Sequence, residues 1–344
     1  MKQSIYIVGP CSAESREQVL ETAQAINTLR STVSDALFIF RAGVWKPRTS
    51  PSSFQGAGDE ALVWLQEVKA QYKIPVATEV ATPEHVRAAL AAGIDYLWIG
   101  ARTSASPIAV QALAEAIDRF AVRSKTANAV RPAAPVSVLI KNPVNTDAAL
   151  WIGNIERLER TGVPVMVVHR GCNHQPCWQM AHIVRTARPD IPMLLDPSHM
   201  SGDAAKVPAL MDKITELGLN GAMIEVHCHP EAALSDRKQQ VRPETLINLI
   251  NLTNLNNPNI ELNWLRAEID ELDATLWETI AARMDVSRRI GVWKKANDVP
   301  PLQPARYEAI LRQRLKWAEE HDLPCTFVQQ IFDLIHQESI RQQK

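Results

Sequence analysis

Cys11 in GPCS, His199 in DPSH and Glu225 in IEVH offer sulfur, nitrogen and oxygen donors, and Asp236 follows in ALSDRKQQ. A mixed set of this kind suits a borderline transition ion such as Mn, Fe, Co or Zn, and argues against Mg or Ca, which prefer oxygen shells. Segments of the same kind carry the cations Arg41, Lys46, Arg48, Arg102, Lys141 and Arg170. Brought to one cleft, these would repel each other unless dianions sat among them. Phosphates and carboxylates are the expected occupants, and guanidinium suits bidentate contacts with both. Two other groupings are set aside. His227-Cys228-His229 has the look of a ligand cluster, but adjacent strand residues face opposite sides, so it reads as structural. Cys172 and Cys177 straddle NHQP, a spacing too loose for a zinc site.

Residues so far apart in sequence need a scaffold to bring them together. Short apolar runs recur at 5–9, 38–45, 76–80, 96–100, 137–142, 164–170, 193–199 and 222–227, each ending in polar residues, as strands buried on both faces do. Segments with helical spacing lie between them, such as 15–30, 58–72 and 81–93; the last starts Thr-Pro-Glu and stops at Gly93. Eight alternating units over about 250 residues predict a (β/α)8 barrel. A doubly wound open sheet is the alternative, but eight even units fit closure better. In such a barrel the site lies at the C-terminal strand ends. Taken in order these carry Cys11; Arg41, Lys46 and Arg48; Glu79; Arg102; Lys141; His169 and Arg170; Asp196 and His199; Glu225 and His227.

The pattern changes after residue 252. The Asn/Pro-rich stretch 253–260 reads as a linker, and 261–344 shows no strand signal. Leu262, Leu265, Ile269, Leu272, Leu276 and Ile280 step by three and four, with no Gly or Pro until Gly291, so one long helix is expected. Two shorter helices can follow, too few to cover its apolar stripe; an intertwined homodimer would supply the missing surface. The domains expected are therefore a barrel over 1–252 and an all-helical, three-helix domain over 261–344. The formal net charge of −1 gives no global pull towards nucleic acid or a membrane surface. Five scattered cysteines make a disulfide framework improbable, and no leader or membrane-length apolar run is legible, so a reducing cytoplasm is expected.

GPCS (9–12), RAGVWKPRTSP (41–51), ATEV (77–80), IGAR (99–102), LIKN (139–142), HRG (169–171), DPSH (196–199) and IEVH (224–227) together resemble the 3-deoxy-D-arabino-heptulosonate 7-phosphate synthases, closest to their short, type I beta-like form. The resemblance spans the barrel region. It implies condensation of phosphoenolpyruvate with erythrose 4-phosphate, the first step of the shikimate pathway. It makes Cys11, His199, Glu225 and Asp236 the ligands of a divalent metal, with manganese expected first. It gives Arg102, Lys141 and Arg170 to phosphoenolpyruvate, assisted by Arg41 and Lys46. Lys46, Pro47, Arg48 and Thr49 would line the erythrose 4-phosphate end, with Lys46 or a metal-held water as proton shuttle. Small residues often follow the last Asp in the family, where this chain has Arg237-Lys238. A 3-deoxy-octulosonate 8-phosphate synthase or a class II aldolase would share the barrel, but Lys46-Pro47-Arg48-Thr49 favours the heptulosonate enzyme.

The segment 264–297, continuing through 301–311 to 331–343, resembles the all-helical chorismate mutases. Arg283 and Lys294 are eleven residues apart, which on a helix leaves them about 20° apart on one face, with Arg266 about 100° round. The resemblance places Arg266, Asp273, Arg283, Lys294, Arg306, Ser339 and Gln343 in register with one motif. It implies that Arg266, Arg283 and Arg306 bind chorismate carboxylates, Arg266 reaching a partner subunit's site, with Lys294 and Gln343 at the ether oxygen. Arg283, Lys294 and Gln343 would be the catalytic residues, Ser339 and Tyr307 substrate contacts. Tyr307 stands where the family usually has Glu. Two further expectations follow from the fusion: feedback on the barrel by prephenate or chorismate, and, as an alternative to catalysis, a tail that only binds and dimerises.

Overall fold

The structure is a computed structural model describing residues 3–33, 36–47, 50, 52–126, 136–251 and 259–343. Arg48 and Thr49, residue 252, and residues 253–258 of the expected 253–260 linker lie outside the described residues. Eight parallel strands pair in chain order and close on themselves: β1 (Ser4–Gly9), β2 (Ala36–Arg41), β3 (Val76–Val80), β4 (Tyr96–Ile99), β5 (Ser137–Lys141), β6 (Val165–His169), β7 (Met193–Leu195) and β8 (Gly221–Glu225). The expected barrel is what forms. The helices between them are α1 (Arg16–Arg30), α2 (Glu60–Tyr72), α3 (Pro83–Ala91), α4 (Ala101–Ser104), α5 (Pro107–Thr126), α6 (Ala148–Glu159), α7 (Trp178–Ala187), α8 (Pro197–Ser201), α9 (Val207–Glu216) and α10 (Pro243–Asn251). Several starts are written locally: the side chains of Ser15, Thr82, Asp147 and Asp196 each accept from the backbone N–H three residues on.

Two apolar layers hold the barrel. The larger lies between strands and helices. The smaller fills the lumen with Ile7, Ile39, Ala77, Trp98, Leu139, Met166, Val168, Leu194 and Met223. Because side chains alternate along a strand, the inward position two residues further on is fixed by these. Those positions are Arg41 after Ile39, Glu79 after Ala77, Lys141 after Leu139, Arg170 after Val168, Asp196 after Leu194 and Glu225 after Met223. After Trp98 the position is Gly100, where an added Cβ would lie 2.1 Å from Glu79 Oε1. The glycine therefore makes room for a carboxylate from the neighbouring strand.

By packing, the chain divides into two compact units, Met1–Glu268 and Ile269–Lys344. One helix, α11 (Ile260–Ala296, 37 residues), has residues in both. Its first turns are built into the barrel unit: Trp264 is buried and donates to Leu217 O at 3.0 Å, and Asn263 donates to Glu216 O at 3.0 Å. The second unit holds the rest of α11 with α12 (Pro304–Glu320) and α13 (Cys325–Gln342). Among the described residues no helix is long and apolar enough to cross a membrane.

Candidate active site

At the C-terminal mouth of the barrel three buried cations each meet a buried carboxylate. Arg41 Nη2 donates to Glu225 Oε1 at 3.0 Å, Lys46 Nζ to Glu79 Oε2 at 3.1 Å, and Lys141 Nζ to Asp196 Oδ2 at 2.6 Å. Trp98 forms the floor, its ring centre 4.7 Å from the Arg41 guanidinium carbon and 6.0 Å from Lys46 Nζ. Burial opposes the charge of Glu79, Asp196, Glu225, Lys46 and Lys141, and the partners overcome it for all but Lys141. Glu79 stays below the usual carboxylate range because Lys46 and Lys141 outweigh its burial, and Asp196 is held well below it by His199 and Lys141. Lys46 is raised above the ordinary lysine value despite burial, through Cys11 and Glu79. Lys141 is lowered, since burial and the nearby Arg41 and Lys46 outweigh Asp196. Arg41 is fully buried, and its Nε and Nη1 find no acceptor among the described residues.

The metal-capable donors adjoin this cluster. The donor atoms of Cys11, Glu225 and Asp236 lie within 4.8 Å of one another, with Cys11 Sγ 3.0 Å from Asp236 Oδ2. His199 Nδ1 is 2.9 Å from Oδ2 of Asp196, the residue that follows β7, and its Nε2 faces Glu225 Oε1 at 3.5 Å. An ionised Asp196 can only accept, so Nδ1 carries the proton and Nε2 keeps its lone pair, the usual arrangement for a ligating histidine. Asp236 adopts φ +45°, which turns its carboxylate back to Cys11. The same segment is tied down by Gln239 Nε2 on Glu225 Oε2 (2.8 Å) and by Cys11 N–H on Gln240 Oε1 (3.0 Å). Burial, then Glu225, pushes the Cys11 thiol up to about 12. A thiol beside two carboxylates is unfavourable as a thiolate until a dication joins them, so these residues fit a divalent transition ion.

Not every expected residue joins the cluster. Arg102 is exposed on α4, Arg170 is half-buried with its backbone N–H on Asn142 Oδ1 (2.7 Å), and Pro47 is half-buried beside Lys46. His169 faces outward, its Nε2 2.6 Å from Pro176 O and its ring between Trp151 and Trp178. One residue past an inward position, it could not point into the lumen. The expected excess of cations is also smaller than the residue types suggest, since Glu79, Asp196 and Glu225 neutralise three of them. Of the site-lining residues, Trp98, Gln239 and Gln240 were not legible as such, and Glu79 and Asp196 carried no assigned role. Alternation from Tyr96 and Leu194 was the signal available for Trp98 and Asp196.

In the second unit, α13 lies along α11. Lys294 Nζ donates to Gln343 Oε1 at 2.9 Å and to Pro301 O at 2.7 Å, and Arg283 donates to the Ser339 hydroxyl. The close approach needs Gly291, where a Cβ would lie 2.7 Å from Gln343 Cα. Burial, then Arg314, lowers Arg283; burial, then Arg283, lowers His336, which Lys294 also repels. Arg283 and Lys294 therefore have basic neighbours, Arg314 beside Arg283 and His336 beside both, that were not anticipated. Tyr307 is paired with Asp333 through its hydroxyl and packs on Phe332 and His336. Arg306 is exposed on the first turn of α12, and Arg266 and Asp273 are exposed on α11, Arg266 within the first unit.

A closed barrel with this mouth defines a (β/α)8 enzyme, followed by a separate helical unit. The DAHP synthetase I family model matches residues 2–258, and the chorismate mutase type II model residues 265–344. The chain belongs to the DAHP synthetase I family and carries a chorismate mutase domain after the barrel. It is 31% identical over 251 residues to the phospho-2-dehydro-3-deoxyheptonate aldolase of Thermotoga maritima, covering 71% of this chain and 67% of that protein. A crystal structure under that name from the same organism aligns with a TM-score of 0.60 at 28% identity, over 73% of this chain and 68% of that one. The 2-dehydro-3-deoxyphosphooctonate aldolase of Bordetella bronchiseptica is 28% identical over 260 residues, covering 71% of this chain and 87% of that protein. The helical end is 37% identical over 81 residues to a 4-amino-4-deoxychorismate mutase of Streptomyces venezuelae, covering 24% of this chain and 79% of that protein.

Proposed function

We propose that the barrel, residues 1–252, condenses phosphoenolpyruvate with erythrose 4-phosphate to 3-deoxy-D-arabino-heptulosonate 7-phosphate and phosphate, the entry step of the shikimate pathway. The observation that carries this is the buried Arg41 with two donor atoms uncommitted, set beside Lys46 and Lys141 and next to the Cys11–Glu225–Asp236 donors. Arg41, Lys141 and Arg170 would hold the carboxylate and phosphate of phosphoenolpyruvate, with Arg102 at the rim; Lys46 and Pro47 would face the sugar phosphate. Cys11, His199, Glu225 and Asp236 would hold the metal, manganese first, whose role when bound is to polarise the aldehyde as a Lewis acid. Carbon 3 of the enol bonds to the aldehyde carbon, and the aldehyde oxygen takes a proton. Lys46, raised and buried, is positioned to give that proton rather than remove one. Water then adds at carbon 2 and one of its protons restores Lys46; the bond from carbon 2 to the phosphate oxygen breaks as the carbon 2 hydroxyl passes its proton to the departing phosphate and becomes the ketone. The test is phosphate release with each sugar phosphate, with EDTA and with added Mn²⁺. Chelator-sensitive turnover of erythrose 4-phosphate over arabinose 5-phosphate is expected; the reverse preference would assign the octulosonate reaction instead.

The helical domain, 261–344, would rearrange chorismate to prephenate. This reaction is unimolecular and needs only a site that holds the dianion compactly and favours charge at the ether oxygen. Arg283 with Arg306 would bind carboxylates, and Lys294 with Gln343 would meet the ether oxygen. Lys294→Ala is expected to remove turnover; an unchanged rate would leave the tail a binding and dimerisation module. One feature favours a second substrate: the Tyr307–Asp333 pair replaces the usual Glu, and a carboxylate there could accept from an amine at ring carbon 4. Rates on chorismate and 4-amino-4-deoxychorismate side by side decide between them. A homodimer would cover the apolar surface of α11, where Trp277 is 66% and Val292 72% exposed, and would bring Arg266 to the other copy.

A further inference from the structure

We propose a second transition-metal site, separate from the barrel mouth, formed by Glu21, Cys228 and His229 where α1 meets the segment after β8. Donor atoms of these three residues lie within 4.8 Å of one another, and His229 Nε2 is 3.3 Å from Glu21 Oε1. Ligands around a tetrahedral ion with bonds of about 2.0–2.3 Å sit about 3.5 Å apart, so closure asks only small movements of two exposed side chains. Sulfur, nitrogen and oxygen donors select an ion of the Zn²⁺ or Co²⁺ class over Mg²⁺ or Ca²⁺.

Strand alternation does not keep Cys228 and His229 on opposite sides, because β8 ends at Glu225 and the chain bends from residue 228. The bend is fixed from within: His229 N–H donates to His227 Nδ1 at 2.9 Å, and Cys228 N–H to Thr22 Oγ1 at 3.4 Å. Cys228 Sγ is thereby turned onto α1, 3.9 Å from Gln18 O, one helical turn from Glu21. His227 is itself buried, and its Nε2, 3.6 Å from Glu14 Oε2, makes no hydrogen bond among the described residues. A thiol, two imidazoles and two carboxylates thus meet at one seam, and the three that can reach a common point include the thiol. An exposed Glu–His pair alone is common; a preorganised cysteine between them is the added element. Binding turns the Cys228 thiol into a thiolate, forms the sulfur–metal bond and releases one proton to solvent, with water completing the shell. The ion would pin the 226–241 segment, which carries Asp236, Gln239 and Gln240, onto α1.

The test is cobalt titration of the full chain in the Cys11→Ala background, read by the near-ultraviolet thiolate-to-cobalt absorption. About one equivalent with that absorption is expected, lost in Cys11→Ala/Cys228→Ala and weakened at least about tenfold by adding His229→Asn or Glu21→Gln. Both latter side chains are exposed, so those variants stay informative if the Cys228 variant misfolds. No thiolate absorption after Cys11→Ala would overturn the proposal. So would absorption indifferent to His229→Asn and Glu21→Gln, which would assign it to another cysteine. The difference between wild type and Cys11→Ala reports the barrel-mouth ligands separately, so the two assignments fail independently.

Discussion

At the level of single residues, the barrel mouth is defined by charges that water does not screen. Removing one member of a buried pair costs about 3–5 kcal/mol, so Glu79, Asp196 and Glu225 are as necessary as the cations they face. Cys11 shows what the same environment asks of a ligand: alone its thiol is pushed up to about 12, and it can serve as thiolate only with a dication beside it. Cys11→Ala is therefore expected to lower metal-supported phosphate release more than about a hundredfold, since even partners of ligands cost 10–100-fold. Full activity in that variant would remove Cys11 from the ligand set. His169 makes the complementary point. Burial pushes it down to about 4, against the help of the Pro176 carbonyl, so the fold holds it neutral. A histidine lowered on folding contributes its stability fully above about pH 6.5 and loses it as pH falls towards 4, about 3 kcal/mol in all. His169→Gln, which keeps a donor for Pro176, is expected to flatten the acid limb of urea-denaturation midpoints between pH 7 and 4.5. An equally steep limb would place the acid sensitivity elsewhere.

Elements explain why some of this was legible and some was not. The eight strands were readable because each is a short apolar run between helix starts with their own caps, such as Thr82-Pro83 ahead of α3. The cations and metal donors at strand ends were readable for the same reason. Whether a strand-end residue points inward is a matter of one-residue register, and His169 beside Arg170 shows how the residue type alone misleads. Gln239, Gln240 and the turn at Asp236 depend on how a loop returns over β8, which no periodicity encodes. In the helical unit, the spacing of Arg283 and Lys294 was readable, but their partners on α13 arrive by tertiary packing. Gly291 is where that packing can be tested. Ala there raises helix propensity by about 1 kcal/mol, yet its Cβ meets the Gln343 backbone, an overpacking worth about 1–3 kcal/mol. Gly291→Ala is expected to separate Gln343 from Lys294 and cut mutase turnover about tenfold or more, while synthase kinetics hold. Equal turnover in the variant would mean that Gln343 does not act beside Lys294.

For the whole molecule, the question is whether two activities on one chain affect each other. α11 is continuous from turns locked into the barrel unit by Trp264 to the turns bearing Arg283 and Lys294. A ligand that orders the later turns can bias the earlier ones only if it binds two states of that helix with different affinity. We expect prephenate to be such a ligand and to weaken phosphoenolpyruvate binding at the barrel. Linkage then fixes a second result in advance: phosphoenolpyruvate must weaken prephenate binding by the same factor, of the order of 5–150-fold for ordinary couplings. Titrating prephenate with and without saturating phosphoenolpyruvate measures that factor without relying on turnover. Inserting three glycines between Glu268 and Ile269 should bring it towards unity while each site still binds its own ligand. Prephenate binding that is blind to phosphoenolpyruvate in the intact chain would show two enzymes that share a helix and nothing more.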